Sequence, residues 1–170
     1  TLDDTMIILT SDHGDYLGDH WMGKKDLFHA PSVKVPLIIY DPRDSANSTR
    51  KTTCYALVEA IDVTATIIEA SGGEIPEHSV EGRSLLPYLA VRVPDTARTF
   101  AIGEYDYLKH PVCSTLGTAP RDARLFMVAT QNWKLIHAEG GFPPMLFDLT
   151  NDPDELCDLG RDPAYTVQRS

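Results

Sequence analysis

Apolar residues fall along the chain in short runs of two kinds. Residues 5–10 (TMIILT) and 35–40 (VPLIIY) are nearly continuous and rich in β-branched side chains, and each is closed by polar residues, Ser11-Asp12 in one case and Asp41-Pro42 in the other. Such runs predict strands buried on both faces of a parallel or mixed sheet. Over residues 55–70 the pattern turns helical, with Leu57, Val58, Ile61, Ala65 and Ile68 in register and Gly72-Gly73 as a stop. Asp62 and Thr64 are expected to split that helix into two pieces. A shorter helical turn is expected over residues 82–90, which carry Leu85, Leu86 and Leu89.

The second half reads differently. Residues 99–104, 125–130, 133–137 and 145–149 are short strand-like runs separated by Pro, Gly and Asn, and Gln131-Asn132 between two of them predicts a hairpin. The expectation is an α/β protein with a small antiparallel sheet, one face of it covered by the helix that begins near residue 55. The domains are placed at 1–95, with the strand end at Asp12, and at 96–170, with the small sheet and a tail.

Composition narrows the function classes. A chain of 170 residues is long enough for a sizeable core. A net charge of −10 with no dense basic patch argues against nucleic acid as a partner. No apolar stretch approaches the ~20 residues that span a bilayer, so a membrane partner is not expected. Cys54, Cys113 and Cys157 form no C-x-x-C pair, which indicates neither a disulfide framework nor a zinc knuckle and favours a reducing, cytoplasmic setting. Because the first residue is Thr1, at the edge of a strand, the chain reads as a piece of a longer protein, and a periplasmic or secreted location stays open.

Candidate chemistry starts where the first strand ends. Polar residues just past the C-terminal end of a strand lie where α/β sheets bind ligands. Asp12 and His13 put an oxygen and a nitrogen donor side by side there, and Gly14 allows a sharp turn beside them. A dipeptide alone also fits a solvated turn with a capping Asp. Lys24 and Lys25 follow within reach of an anion, or as a solvated basic pair.

The run from Ser11 to Ile38, SDHGDYLGDHWMGKKDLFHAPSVKVPLI, resembles the second signature region of the sulfatases and phosphonate monoester hydrolases of the alkaline phosphatase superfamily. That family has a strand ending in Ser-Asp-His-Gly or Ser-Asp-Asn-Gly, then Leu-Gly, then Lys, then Arg-Val-Pro-Leu; here Lys34 stands in the Arg position. Residues 61–67 (IDVTATI) resemble its next helix, residues 81–85 (EGRSL) its Gly-Arg-Ser-Leu element, and LFDL at 146–149 with NDPDE at 151–155 and Leu159 its C-terminal tail.

The resemblance implies the C-terminal part of an alkaline phosphatase-like sandwich that hydrolyses sulfate, phosphate or phosphonate monoesters. It implies Asp12 and His13 as ligands of one divalent metal ion (Ca, Mn, Fe, Mg or Zn), with Lys25 binding the anionic ester and stabilising charge. His29 is carried as a substrate-binding candidate, and His20 and His29 as proton donors to the leaving group. The family's nucleophile is a formylglycine made from Cys or Ser in a Cys/Ser-x-Pro-x-Arg signature. None of the three cysteines has Pro two residues later, so the nucleophile is expected in an N-terminal half, the other partner of this chain. Trp133 is expected in the core of the small sheet with Lys134 exposed, and Asp152 and Glu155 in turn and cap roles. A phosphodiesterase of the same superfamily and a non-catalytic scaffold are the rival readings. Homo-oligomerisation is left open.

Overall fold

A computed structural model describes residues 1–76, 78–90 and 97–169. The expected boundary between residues 95 and 96 lies outside the described residues. The elements run β1 (Ile7–Thr10), α1 (Ala30–Val33), β2 (Leu37–Tyr40), α2 (Ile61–Ala70), α3 (Leu86–Leu89), β3 (Ala101–Asp106), α4 (Pro111–Leu116), β4 (Arg124–Ala129), β5 (Trp133–Ala138), β6 (Met145–Asp148) and α5 (Thr166–Arg169). They sort into two units, one of residues 1–13 with 35–98 and one of residues 14–34 with 99–170. The result is a mixed α/β chain with small antiparallel sheets.

In the first unit β1 and β2 pair antiparallel, Ile7 opposite Tyr40 and Thr10 opposite Leu37. This antiparallel pair corrects a parallel arrangement of the two apolar runs; a mixed sheet, the other form expected, admits it. A parallel return is usually made through a full crossover helix, and the only α-helix between these strands, α1, has four residues. The strands are not buried on both faces either: Ile7, Leu9 and Ile38 are 45%, 53% and 62% exposed, since each strand has a single neighbour in a two-stranded sheet.

Helix α2 begins at Ile61, not near residue 55, and runs unbroken through Thr64. Asp62 is the reason. From the first turn its carboxylate reaches back to accept the backbone N–H of Glu59 at 2.8 Å, just before the helix, and fixes where the first turn starts. The same carboxylate accepts the N–H of Arg83 at 2.8 Å and Nη2 of Arg98 at 2.8 Å, while Nη1 of Arg98 reaches Glu59 at 2.6 Å. Thr66 Oγ1 accepts the N–H of Leu85 at 2.8 Å. The EGRSL segment is thereby stitched to α2, and so close that a Cβ on Gly82 would lie 2.1 Å from the carbonyl oxygen of Ile61. A groove of about 710 Å³ runs along β2, α3 and the irregular residues 49–58.

The second unit is built on a four-stranded antiparallel sheet in the order β3-β4-β5-β6. The hairpin predicted at Gln131-Asn132 is present, closed by the N–H of Thr130 donating to the carbonyl of Trp133 at 2.8 Å. Period-two alternation buries Leu125, Met127 and Ala129 of β4 and Ile136 of β5, and these pack with Phe147, Tyr107, Cys113 and Phe28 into one core. Phe28, from the 14–34 segment, is thus part of this sheet's cover. Helix α2, expected in that role, belongs to the first unit and contacts α3.

Candidate functional site

Past the end of β1, in the first unit, the Ser11 hydroxyl donates to the carbonyl of His13 at 2.7 Å and fixes a tight turn. His13 Nε2 and Asp12 Oδ2 lie 3.4 Å apart, with both side chains open to solvent. That spacing suits two adjacent ligands of one ion when each sits about 2.0–2.2 Å from it. A carboxylate oxygen with an imidazole nitrogen is a donor set for a borderline divalent metal. The two fit part of a coordination shell. Among the described residues no group of three or more His, Cys, Asp or Glu is gathered to hold a metal.

In the second unit, residues 14–34 form a loop held from within. Gly14 donates its N–H to the carbonyl of Ser32 at 2.7 Å, and a Cβ there would meet the Pro31 oxygen at 1.9 Å, so only glycine allows the approach. Two rungs, Tyr16 N–H to Lys24 C=O and Gly18 N–H to Met22 C=O, both 2.9 Å, make a narrow finger. Its tip exposes Leu17 and Trp21. Four of its non-glycine residues have positive φ: Leu17 (47°), His20 (52°), Trp21 (55°) and Lys24 (63°).

Lys25 closes the finger with an exposed side chain, and its carbonyl accepts the Ser32 hydroxyl at 2.7 Å. Lys24 is exposed as well. His29 is placed otherwise than a surface ligand would be: it is 7% exposed, its Nδ1 lies 2.9 Å from the Tyr16 hydroxyl, and its ring stacks on His20 at 4.2 Å and meets the Phe147 ring edge-on at 5.5 Å. Burial pushes the Tyr16 hydroxyl up to about 12, so it stays protonated and donates. Burial, with His20 beside it, holds His29 below the usual histidine value and keeps the ring neutral to accept. The pair is a satisfied interior contact.

Several of these residues carried no clear signal in the sequence. Lys134, expected exposed, is 5% exposed, and Trp133 beside it is only half-buried. The alternation of β5 puts Lys134 on the face of buried Ile136, and that periodicity is the signal that could have found it. Its ammonium pairs with Glu155 and donates to the carbonyl of Phe28 at 3.1 Å, while the other oxygen of Glu155 accepts the N–H of Ala30 at 2.8 Å. Burial draws the Lys134 pKa down, and the bond to Glu155 works against it. Asp152 does have the expected turn role, accepting from the N–H groups of Leu156 and Cys157 at 3.0 and 2.8 Å. Glu155 goes beyond that role: it reaches across the sequence to hold the backbone on the C-terminal side of His29.

The fold and these local features are those of the C-terminal portion of a sulfatase. Residues 18–169 match the family described as N-sulphoglucosamine sulphohydrolase, C-terminal, and the chain belongs to that family. A multifunctional alkaline phosphatase superfamily protein, PehA, of Trinickia caryophylli is 38% identical over 168 residues, which is 97% of this chain and 32% of that protein. Arylsulfatase K of Bos taurus is 30% identical over 162 residues, 93% of this chain and 28% of the relative. Among solved structures, a phosphonate monoester hydrolase of Agrobacterium radiobacter superposes with a TM-score of 0.86 at 32% identity, over 98% of this chain and 33% of that one. The chain spans about a third of the length of the proteins it matches.

Proposed function

We propose that this chain supplies Asp12, His13 and Lys25 to a longer hydrolase of sulfate or phosphonate monoesters, small anionic esters in either case. The observation that carries the reading is the pairing of a family match over residues 18–169 with two metal-type donors 3.4 Å apart at the end of β1. When bound, a divalent metal would polarise the ester oxygen and favour the nucleophile's attack. Asp12 and His13 hold that ion. Lys25, an ammonium on a backbone fixed by Ser32, neutralises negative charge as it builds on the transferring group.

The nucleophile, a formylglycine, comes from a part of the longer protein outside this chain, since Cys54, Cys113 and Cys157 lack its sequence context. That same part covers the exposed apolar residues of β1 and β2. The setting on this reading is the cytoplasm, where Cys54, Cys113 and Cys157 would stay reduced.

The test uses the full-length protein with an aryl sulfate and a phosphonate monoester. Asp12→Ala and His13→Ala should lose bound metal and turnover together. Lys25→Ala should keep its metal and lose kcat/KM by about 10²–10³, the scale of one preorganised charge donor, with Lys24→Ala as the silent control. Full metal occupancy with near-normal turnover in either ligand variant would overturn the assignment.

A further inference from the structure

Lys25 raises a question of placement. Its side chain is solvated, so what fixes its position is the backbone that carries it, and that backbone runs through a finger with four non-glycine residues at positive φ. Each such residue costs roughly 1 kcal/mol or more relative to its preferred conformation and persists only where its surroundings impose it. The finger therefore does not hold its shape by local preference. Buried contacts hold it.

Those contacts converge on three side chains. Ser32, 3% exposed, donates its hydroxyl to the carbonyl of Lys25 at 2.7 Å, and its own carbonyl accepts from Gly14 at 2.7 Å, so one residue ties both ends of the finger. Tyr16, 0% exposed, gives its N–H to the carbonyl of Lys24 at 2.9 Å. Its hydroxyl lies 2.9 Å from Nδ1 of His29, which is itself wedged between His20 and Phe147. Lys24, the residue before Lys25, is the one driven to φ 63°.

We propose that Tyr16, His29 and Ser32 are positioning residues that set the backbone of Lys25, so that its ammonium meets the transferring group at a fixed place. The proposal rests on the role given to Lys25 above. Misplacing a charge-bearing group by about 1 Å can cost on the order of 10²-fold in rate, so loosening the clamp is expected to weaken turnover without touching the metal.

The experiment is a double-mutant cycle in the full-length protein, with kcat/KM read on an aryl sulfate, alongside metal content and melting temperature. Ser32→Ala and Tyr16→Phe should each lower kcat/KM by about 10- to 100-fold in the wild-type background. On the Lys25→Ala background they should cost less than about 2-fold further, because a residue acting only through Lys25 has nothing left to position. A merely structural role predicts the same loss in both backgrounds, and that additivity overturns the proposal. So does failure of both variants to fold, which would show the clamp to be part of the core first. If Lys25→Ala itself leaves turnover intact, the role of Lys25 falls instead, and the two failures are told apart.

Discussion

Asp62 in the first unit and Glu155 in the second are buried carboxylates that differ in how far they reach. Asp62, in the first unit, accepts from Glu59 three residues back, Arg83 twenty-one residues on and Arg98 thirty-six residues on. Glu155, in the second, accepts from Ala30 across 125 residues and pairs with Lys134. Asp62 starts its own helix and ties to it two segments that follow within 36 residues. Glu155 joins segments that no local preference brings together, and its backbone sits at φ 57°, a conformation unfavourable for a non-glycine residue. Both carboxylates are buried, at 2% exposure each, so neither can fall back on water when its partners are lost.

The comparison breaks most sharply at Glu155. Glu155→Ala should destabilise the second unit by about 3–5 kcal/mol, because the Lys134 ammonium stays buried with only the Phe28 carbonyl and the N–H of Ala30 loses its acceptor. Both tryptophans, Trp21 and Trp133, belong to this unit, so denaturant unfolding followed by tryptophan fluorescence reads it directly. A loss below about 1 kcal/mol would mean the pair is solvated.

Asp62→Ala should cost less, about 2–3 kcal/mol, since Arg98 keeps Glu59 while two backbone N–H groups go unmet. The loss should show first in far-UV circular dichroism from α2, the ten-residue helix that Asp62 starts. An unchanged helix signal would show that Asp62 is not what fixes its first turn.

Much of this was legible in advance, and the division follows the reach of the interactions. The four strands of the small sheet and the two-residue hairpin follow from alternation and turn chemistry, which are local. The polar turn after β1 that carries Asp12 and His13 is local too. The start of α2 was misread because a periodic apolar pattern over residues 55–70 says nothing of where a carboxylate will take an N–H, and here Asp62 takes that of Glu59. The antiparallel pairing of β1 and β2 was not legible because an apolar run fixes burial tendency but not direction. The burial of Lys134 and His29 depends on partners 21 and 13 residues away or on stacking against residues of other segments, which a single sequence does not order.

A third buried carboxylate sharpens the comparison from the weak side. Asp41 is only 3% exposed, and Arg43 holds it through Nε and Nη2, the latter at 2.6 Å, with the Arg43 N–H adding a bond at 3.0 Å. The Arg43 hydrogen bonds hold the Asp41 carboxyl below its ordinary value of 3.8. Yet the Arg43 side chain is 48% exposed, so its removal opens Asp41 to water, and the backbone N–H of residue 43 still donates to the carboxylate; Arg43→Ala should cost about 1 kcal/mol at neutral pH, less than loss of either deeper carboxylate. The sign of its pH dependence is fixed by the lowered pKa. Between the folded value and 3.8 the unfolded chain binds more protons, so the contribution is present in full above 3.8 and is lost as pH falls through the folded value. Arg43→Ala should therefore flatten the acid side of the stability curve below about pH 4 while shifting the neutral region little, as denaturant midpoints taken from pH 2.5 to 7 would record. A large neutral loss with an unchanged acid slope would place Arg43 in the class of Lys134, a cation whose burial matters more than its screening.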